Sequence, residues 1–386
     1  MRLLKFTKKL LADKDIKKII GIFLLWRICL FVVAVLSAYF LPLRGSDFFG
    51  GGLENYSKAP WFYGWANFDG EHYISIAQTG YKALEQAFFP VYPVLMYFIS
   101  PFDASFVSMI ASGLLISNLS FAVSLIVLWK LVRMDFPTKI SLMTVIILLI
   151  FPTTFFFGAV YSESTFLLLS LLSFYFARKK NWVLSGVFGA ISSATRVFGV
   201  LLLPALLIEA WQQKQPLSKT FWVFFIPIGL LGYMLYQWLT VGDPIAFYNL
   251  QKIIGPQHAE GITLIPQIYY RYANILLTTP VSNPVFQTVV LELFVGVLFF
   301  ILPVYGIFKK MRYSWAFYAL AGFLLPSIQG SFSSAPRYIL VLFPSFIATA
   351  LLLSSLKKGI RFMILTLLFF WLLIETALFI RGYWVA

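Results

Sequence analysis

Cysteine is almost missing from this chain. Of 386 residues only Cys29 carries a thiol, so no intrachain disulfide can form and cysteine usage says nothing about the redox compartment. Histidine is nearly as scarce, with His72 and His258 the two examples, and neither an HExxH pattern nor a paired-cysteine motif is present. A structural zinc site is therefore not expected. Neither GxGxxG nor GxxxxGK[ST] occurs, which removes the usual nucleotide-cradling loops. Charge is thin at 12% of residues, and its acidic half is thinner, with 15 Asp and Glu against 30 Lys and Arg. What is abundant is apolar surface: 60% hydrophobic and 19% aromatic, more than one soluble core could bury. The chain reads as an all-α polytopic membrane protein forming one domain, residues 1–386, without internal repeats or a soluble domain boundary. Its net charge of +15 sits in short clusters beside apolar runs. Cytoplasmic loops and anionic lipid headgroups account for such clusters, and no nucleic-acid partner is expected.

Basic clusters also orient the spans. Seven lysines and arginines lie within residues 1–18, ahead of an apolar run over residues 19–41, so the amino terminus is placed in the cytoplasm and the run reads as an uncleaved anchor. The same rule assigns further spans to residues 105–131, 140–157, 165–177, 221–241, 286–308, 315–330, 338–356 and 362–380, nine full crossings in all. Residues 182–209 do not fit as a crossing, because basic residues flank both ends: Arg178 to Lys180 before, Lys214 and Lys219 after. The expectation is a hairpin of two short helices, 183–194 and 197–208, folded back at Thr195 and Arg196. Interrupted helices persist in a membrane only where protein or water satisfies the freed backbone, so a polar cavity is expected around Arg196. Two long outer loops remain, residues 42–104 and 242–284, whose aromatic content predicts ordered interfacial helices.

Polar chemistry concentrates on one side of this topology. Asp69, Glu71, His72, Glu85, Glu163 and Arg337 all fall on the outer face, and Arg196 approaches it from within the membrane. Arginine at the centre of a span costs about 2.5–3.5 kcal/mol on insertion scales, so Arg196 requires a carboxylate, a phosphate or a wet cavity. Asp69 precedes Gly70 and can cap a short helix over residues 71–78; on the same helix His72 lies one turn on, where a carboxylate beside an imidazole suits general-base work. Glu71, Glu85 and Glu163 are each compatible with a solvated loop. Asp69, Glu71, His72 and Glu85 could offer ligands to a divalent cation bridging a phosphate, although their spacing is not diagnostic and no cofactor is assigned. Outside the cytoplasm a nucleotide-activated substrate is not at hand. A group-transfer enzyme there draws on a lipid-linked donor, whose phosphate is a natural partner for Arg196 and Arg337.

FDGEHYISIAQTGY (Phe68 to Tyr81), Glu85 and AFFPVYP (Ala87 to Pro93) resemble the first-loop signature of the PIG-V-type mannosyltransferases, members of the GT-C membrane glycosyltransferases. The stretches from Pro152 to Tyr175, from Ser192 to Leu206 and from Ala335 to Pro344 resemble later blocks of that family, in the same order. The resemblance implies a GT-C-like bundle, an integral membrane location with an extracytoplasmic active site (plasma membrane in a bacterium, endoplasmic reticulum in a eukaryote), and inverting transfer of a sugar from a polyprenyl-phosphate donor to a glycan or glycolipid acceptor. Mannose is the sugar of the named family. Asp69 matches the acidic residue that acts as base; Glu71, His72, Glu85, Tyr161, Glu163, Arg196, Arg337 and Tyr338 become the substrate-binding candidates. Asn67 and Phe68 stand where the family's motif leads one to expect an Arg-Trp pair.

Two other classes compete. A transporter or flippase of lipid-linked sugars also uses broken helices and buried arginines, but no inverted repeat supports it here. A scaffold subunit predicts that the outer polar cluster can be dispersed without loss.

Overall fold

A computed structural model describes residues 13–44, 49–100, 104–254, 263–328 and 330–385. Among these residues the only regular structure is helical. The principal helices are α1 (Lys14–Phe40), α2 (Asp69–Thr79), α3 (Val91–Ile99), α4 (Phe106–Val132), α5 (Thr138–Ile150), α6 (Glu163–Arg178), α7 (Trp182–Ser193) and α8 (Leu202–Gln212). They are followed by α9 (Ile228–Val241), α10 (Ala246–Ile254), α11 (Ile265–Thr278), α12 (Pro284–Phe308), α13 (Tyr313–Ser327), α14 (Phe343–Ser354) and α15 (Lys358–Ile380). His258 and Glu260 lie outside the described residues.

The expected count of nine crossings is not borne out as such. Among the described residues five helical stretches are long and apolar enough to cross a bilayer: Lys14–Phe40, Phe106–Val132, Leu217–Val241, Val285–Phe308 and Lys358–Ile380. A sixth is counted only if Ala335–Val341 and Phe343–Ser354, bent by 88° at their junction, form one span. The run expected as one span over 140–157 stops at Ile150, because the chain turns at Phe151 and Pro152 into a 3-10 segment, Thr154–Gly158. Helices α5 and α6 have 13 and 16 residues, or about 20 and 24 Å of rise, less than the ~30 Å hydrocarbon thickness. Apolar run length in a sequence does not distinguish a straight crossing from a short helix plus an ordered turn.

The hairpin, in contrast, is present. Helix α7 ends at Ser193, Arg196 is extended (φ −157, ψ 147), and a 3-10 turn over Val197–Leu201 leads into α8. Its two ends return to one place. Glu209, fully buried near the end of α8, meets Arg178 at the end of α6 at 3.6 Å and Arg312 at the start of α13 at 2.7 Å. Arg178 also forms a two-pronged pair with Asp135, just past α4, at 2.7 and 2.8 Å. Ser314 and Gln213 donate to Glu209 at 2.5 and 2.7 Å. The ends of α4, α6 and α8 and the start of α13 thus share one end of the bundle, with Arg133 reaching Asp15 of α1 at 3.6 Å.

At the opposite end the first loop packs against the carboxyl-terminal helix. Asn67 Nδ2 donates to the carbonyls of Phe379 and Ile380 at 3.0 and 3.2 Å, and Tyr56 donates to Ile380 at 2.6 Å. Arg381 donates to the Leu41 carbonyl at 2.9 Å, tying the ends of α1 and α15 together. The loop then dips into the bundle. Tyr92 and Ser117 share a hydrogen bond at 2.8 Å, and Ser117 donates to the Tyr161 carbonyl at 3.1 Å. Ser117 lies about three turns inside α4 from Phe106, so the segment around Tyr161 is recessed below the end of that helix. Gly113 permits the approach: a Cβ there would come within 2.7 Å of Val160 Cγ1.

Candidate active site

Four charged side chains meet in that recess. Arg337 Nη1 donates to Asp69 Oδ2 at 2.6 Å, Arg337 Nε lies 3.6 Å from Glu163 Oε1, and Arg196 Nη1 contacts the same Glu163 oxygen at 2.6 Å. The order Asp69, Arg337, Glu163, Arg196 alternates in sign and sums to zero, which is what an apolar bundle requires of buried charge. Glu163 and Arg337 are 1% and 8% exposed. Glu163 therefore does not sit in a wet turn, as its place between two apolar runs suggested. Aromatic faces surround the cations: Arg337 lies 5.2–5.7 Å from the ring centres of Tyr338, Phe156 and Tyr161, and Arg196 lies 5.5 Å from that of Tyr338.

Each member comes from a different element. Asp69 opens α2, where it is the first helical residue; the cap position is Phe68, and Asp69 makes no capping bond. Its carboxylate is thus free for Arg337, and the expectation that it caps the helix is replaced. Phe68 holds φ 58 and ψ −122, outside the regions open to a non-glycine residue. Such strain costs about 1–3 kcal/mol and persists where the surroundings over-determine it. Here Asn67, fully buried, is held on both sides: its side chain accepts from Gly50 N and donates to the end of α15, and its carbonyl accepts from Tyr161 at 2.8 Å. Asn67 stands at the point of departure from the family motif, and it fixes the turn that presents Asp69. Glu163 opens α6, Arg196 occupies the hairpin tip, and Arg337 sits in the short helix Ala335–Tyr338, anchored where Thr153 donates to the Pro336 carbonyl at 2.6 Å.

The other candidates fall beside this centre. His72 stacks on Phe88 at 4.8 Å and lies 3.9 Å from Glu85, so its carboxylate neighbour is Glu85, not Asp69. Glu85 is buried at 5% exposure and accepts the Lys82 amide at 2.7 Å, which replaces the solvated-loop expectation. Tyr73, between Asp69 and this pair, bonds Ser162 at 2.8 Å. Glu71 turns to the backbone amides of Gly52 and Gly51. Asp69, Glu71, His72 and Glu85 thus have separate partners and do not converge as one ligand set; among the described residues no three His, Cys, Asp or Glu side chains do.

Burial pushes the Glu71 carboxyl up to about 7, with the two glycine amides pulling the other way. Between about pH 4.5 and 7 the folded chain then holds a proton that the unfolded chain releases, so stability falls as pH rises through that window and is level on either side. Thermal unfolding in detergent across this range is expected to show that decline in the wild type and a smaller one in Glu71→Gln. An identical slope in the variant would remove Glu71 as its source.

Sequence reasoning missed Asn67, Phe156, Thr153 and one further arginine. Arg27, midway along α1, lies 4.3 Å from the Trp65 ring centre, with its Nη1 buried and lacking a hydrogen-bond partner among the described residues. A guanidinium inside an otherwise apolar run was the available signal.

Fold and site together define a multi-pass helical membrane protein with a recessed, charge-balanced centre at one end of its bundle. The family model for mannosyltransferase (PIG-V) matches residues 9–214, which cover Asp69, Glu163 and Arg196, and the chain belongs to this family of glycosyltransferases. No curated protein sequence matches it. Among solved structures it is similar to ArnT from Cupriavidus metallidurans bound to undecaprenyl phosphate, at 15% identity and a TM-score of 0.49, covering 90% of this chain and 63% of that one. It is also similar to the Archaeoglobus fulgidus oligosaccharyltransferase tethered to an acceptor peptide, at 12% identity and a TM-score of 0.43, covering 93% of this chain and 55% of that one. The chain therefore spans less than two thirds of either of those chains.

Proposed function

We propose that the chain transfers a sugar, mannose by the family it belongs to, from a polyprenyl-phosphate donor to a hydroxyl of a glycan or glycolipid acceptor. The observation that carries this reading is the centre formed by Asp69, Arg337, Glu163 and Arg196, with Glu163 and Arg337 buried. Two guanidinium groups inside a membrane bundle suit a lipid-linked phosphate, which enters from the bilayer with its charge already at headgroup depth. Arg337 occupies one oxygen of the Asp69 carboxylate at 2.6 Å. A donor phosphate competes for Arg337, and the base is released when the donor is seated.

In the displacement the acceptor hydroxyl oxygen forms a bond to the anomeric carbon while the bond from that carbon to the phosphate oxygen breaks. The bonding pair stays on the leaving polyprenyl phosphate, the hydroxyl proton passes to Asp69, and the anomeric configuration inverts. Arg337 and Arg196 stabilise the charge that grows on the phosphate. His72 and Glu85, one turn along α2 and across from it, are placed to orient the acceptor, with Tyr161 and Tyr338 walling the cations. Glu71 holds the Gly51 and Gly52 turn and serves the site through the loop's fold. Should the family's activity require a divalent cation, Asp69 and Glu163 are the carboxylates nearest the phosphate position.

Sugar transfer from a synthetic polyprenyl-phosphate donor by the purified protein tests the reading; donor translocation without transfer would favour the flippase alternative. The proposed sidedness, with the site outside and the amino terminus in the cytoplasm, has its own check. In a chain with Cys29 replaced, Lys214→Cys at the far end of the hairpin is expected to resist an impermeant thiol reagent added from outside, and labelling there would invert the topology.

A further inference from the structure

Glu292 is an acidic residue inside the long apolar helix α12, 5% exposed, and it takes no part in the charged centre. Among the described residues its oxygens meet neutral donors: Oε2 accepts from the Tyr272 hydroxyl at 2.7 Å, and Oε1 accepts from the Ser334 amide at 3.3 Å. A buried carboxylate without a cation is expensive, and structural support alone is more cheaply supplied by a neutral group. Its particular quality is that each of its two oxygens meets its own donor. A glutamine has one oxygen, and must turn its NH₂ toward the Tyr272 hydroxyl or the Ser334 amide.

The segment held this way leads directly to Arg337. Ser334 has φ 60 and ψ 3, a left-handed conformation that a serine keeps only under constraint. Its amide is tied to Glu292, while its carbonyl accepts from the amides of Arg337 and Tyr338, both at 3.1 Å. One residue thus links α12 to the two side chains around the proposed phosphate position. Tyr272, from α11 in the second loop, completes the hold. Its oxygen accepts the Phe332 amide at 3.1 Å and lies 3.1 Å from Ser331 Oγ, while Arg271 donates to the Gly330 carbonyl at 2.7 Å. Phe332, fully buried, packs on the Tyr269 and Tyr272 rings at 5.2 Å.

We propose that Glu292, with Tyr272, is a positioning residue for the donor phosphate, acting through Ser334 to set the reach of Arg337 and Tyr338. This rests on the transferase reading for its substrate, but not for its measurement. The expected result for Glu292→Gln is an affinity for a polyprenyl phosphate, read by intrinsic fluorescence on purified protein, that is weaker by about tenfold, the low end of the loss when an outer-shell partner of a metal ligand is altered. In the transfer assay the KM for the donor rises by a similar factor and the KM for the acceptor stays put. Tyr272→Phe shifts both in the same direction. Because glycine adopts the left-handed conformation without strain, Ser334→Gly added to Glu292→Gln is expected to restore part of the lost affinity, which a general loss of packing does not predict.

Unchanged phosphate affinity in a folded Glu292→Gln chain overturns the proposal and leaves the transferase reading intact. So does a loss confined to melting temperature, or no recovery on adding glycine at 334. A wild-type chain that binds polyprenyl phosphate but transfers nothing overturns the transferase reading alone, with the positioning role still decided by the affinities. No binding by the wild type overturns both.

Discussion

Replacing Asp69 by asparagine is expected to lower sugar transfer by about 10³-fold, the middle of the range for losing a positioned general base, while the protein stays folded. The substitution keeps the size of the side chain and one oxygen for Arg337, and Arg337 retains Glu163 at 3.6 Å. The charged centre then carries a surplus positive charge. Donor binding is therefore expected to hold or tighten even as turnover collapses, a split between affinity and rate that separates loss of the base from loss of the site. Initial rates with a synthetic donor, together with polyprenyl-phosphate affinity on the same samples, provide the test. Turnover within a few-fold of wild type would sink the assignment of Asp69 as base; parallel loss of affinity and rate would make it a binding residue.

Arg196→Ala should be the most destabilising single change at the hairpin tip. Glu163, 1% exposed, is left with Arg337 at 3.6 Å in place of a 2.6 Å contact, and breaking a buried ion pair from one side costs about 3–5 kcal/mol. Glu163→Gln breaks the pair from the other side. Because the cost arises from an uncompensated charge, Glu163→Gln combined with Arg196→Met is expected to recover most of the stability, while transfer remains low for want of the second guanidinium at the phosphate. Thermal unfolding in detergent across this double-mutant cycle measures the coupling. Strictly additive losses would mean that the two side chains act independently, and full activity in the double variant would remove Arg196 from phosphate binding.

The two experiments address different layers of the same centre. Asp69 is only partly buried, at 25% side-chain exposure, and its partner Arg337 is far less so at 9%. The proposed base is thus the more accessible member of the pair. On the proposed reading, a donor phosphate that engages Arg337 displaces Asp69 from it, and this links seating of the phosphate with release of the carboxylate.

Much of this arrangement is legible in the amino-acid sequence because membranes impose simple rules. Basic residues flanking apolar runs mark one end of the bundle, and that pattern alone requires a hairpin of residues 182–209. The ion pairs of Glu209 with Arg178 and Arg312 bear out the return to a common end. Scarcity helped as well. In a chain with only 15 acidic residues, the few that lie near apolar segments are readily picked out, and Asp69, Glu163, Arg196 and Arg337 were all candidates for one site.

The composition, the order of apolar runs and the placement of charge determined the membrane class, the family and the roster of charged residues, since each depends on local transfer free energies or on a local motif. Only the tertiary structure decided who pairs with whom. Residues 69, 163, 196 and 337 come from four separated elements, and ion-pair choice depends on distances that no sequence spacing encodes. It also decided that His72 belongs with Glu85, that apparent crossings end early in ordered turns, and that Asn67 and Glu292 hold the segments that carry Asp69 and Arg337. These last are effects of backbone conformation: the strained Phe68 and Ser334 hold their places because groups distant in sequence, the Phe379 carbonyl for the first loop and the Glu292 carboxyl for Ser334, satisfy the hydrogen bonds around them.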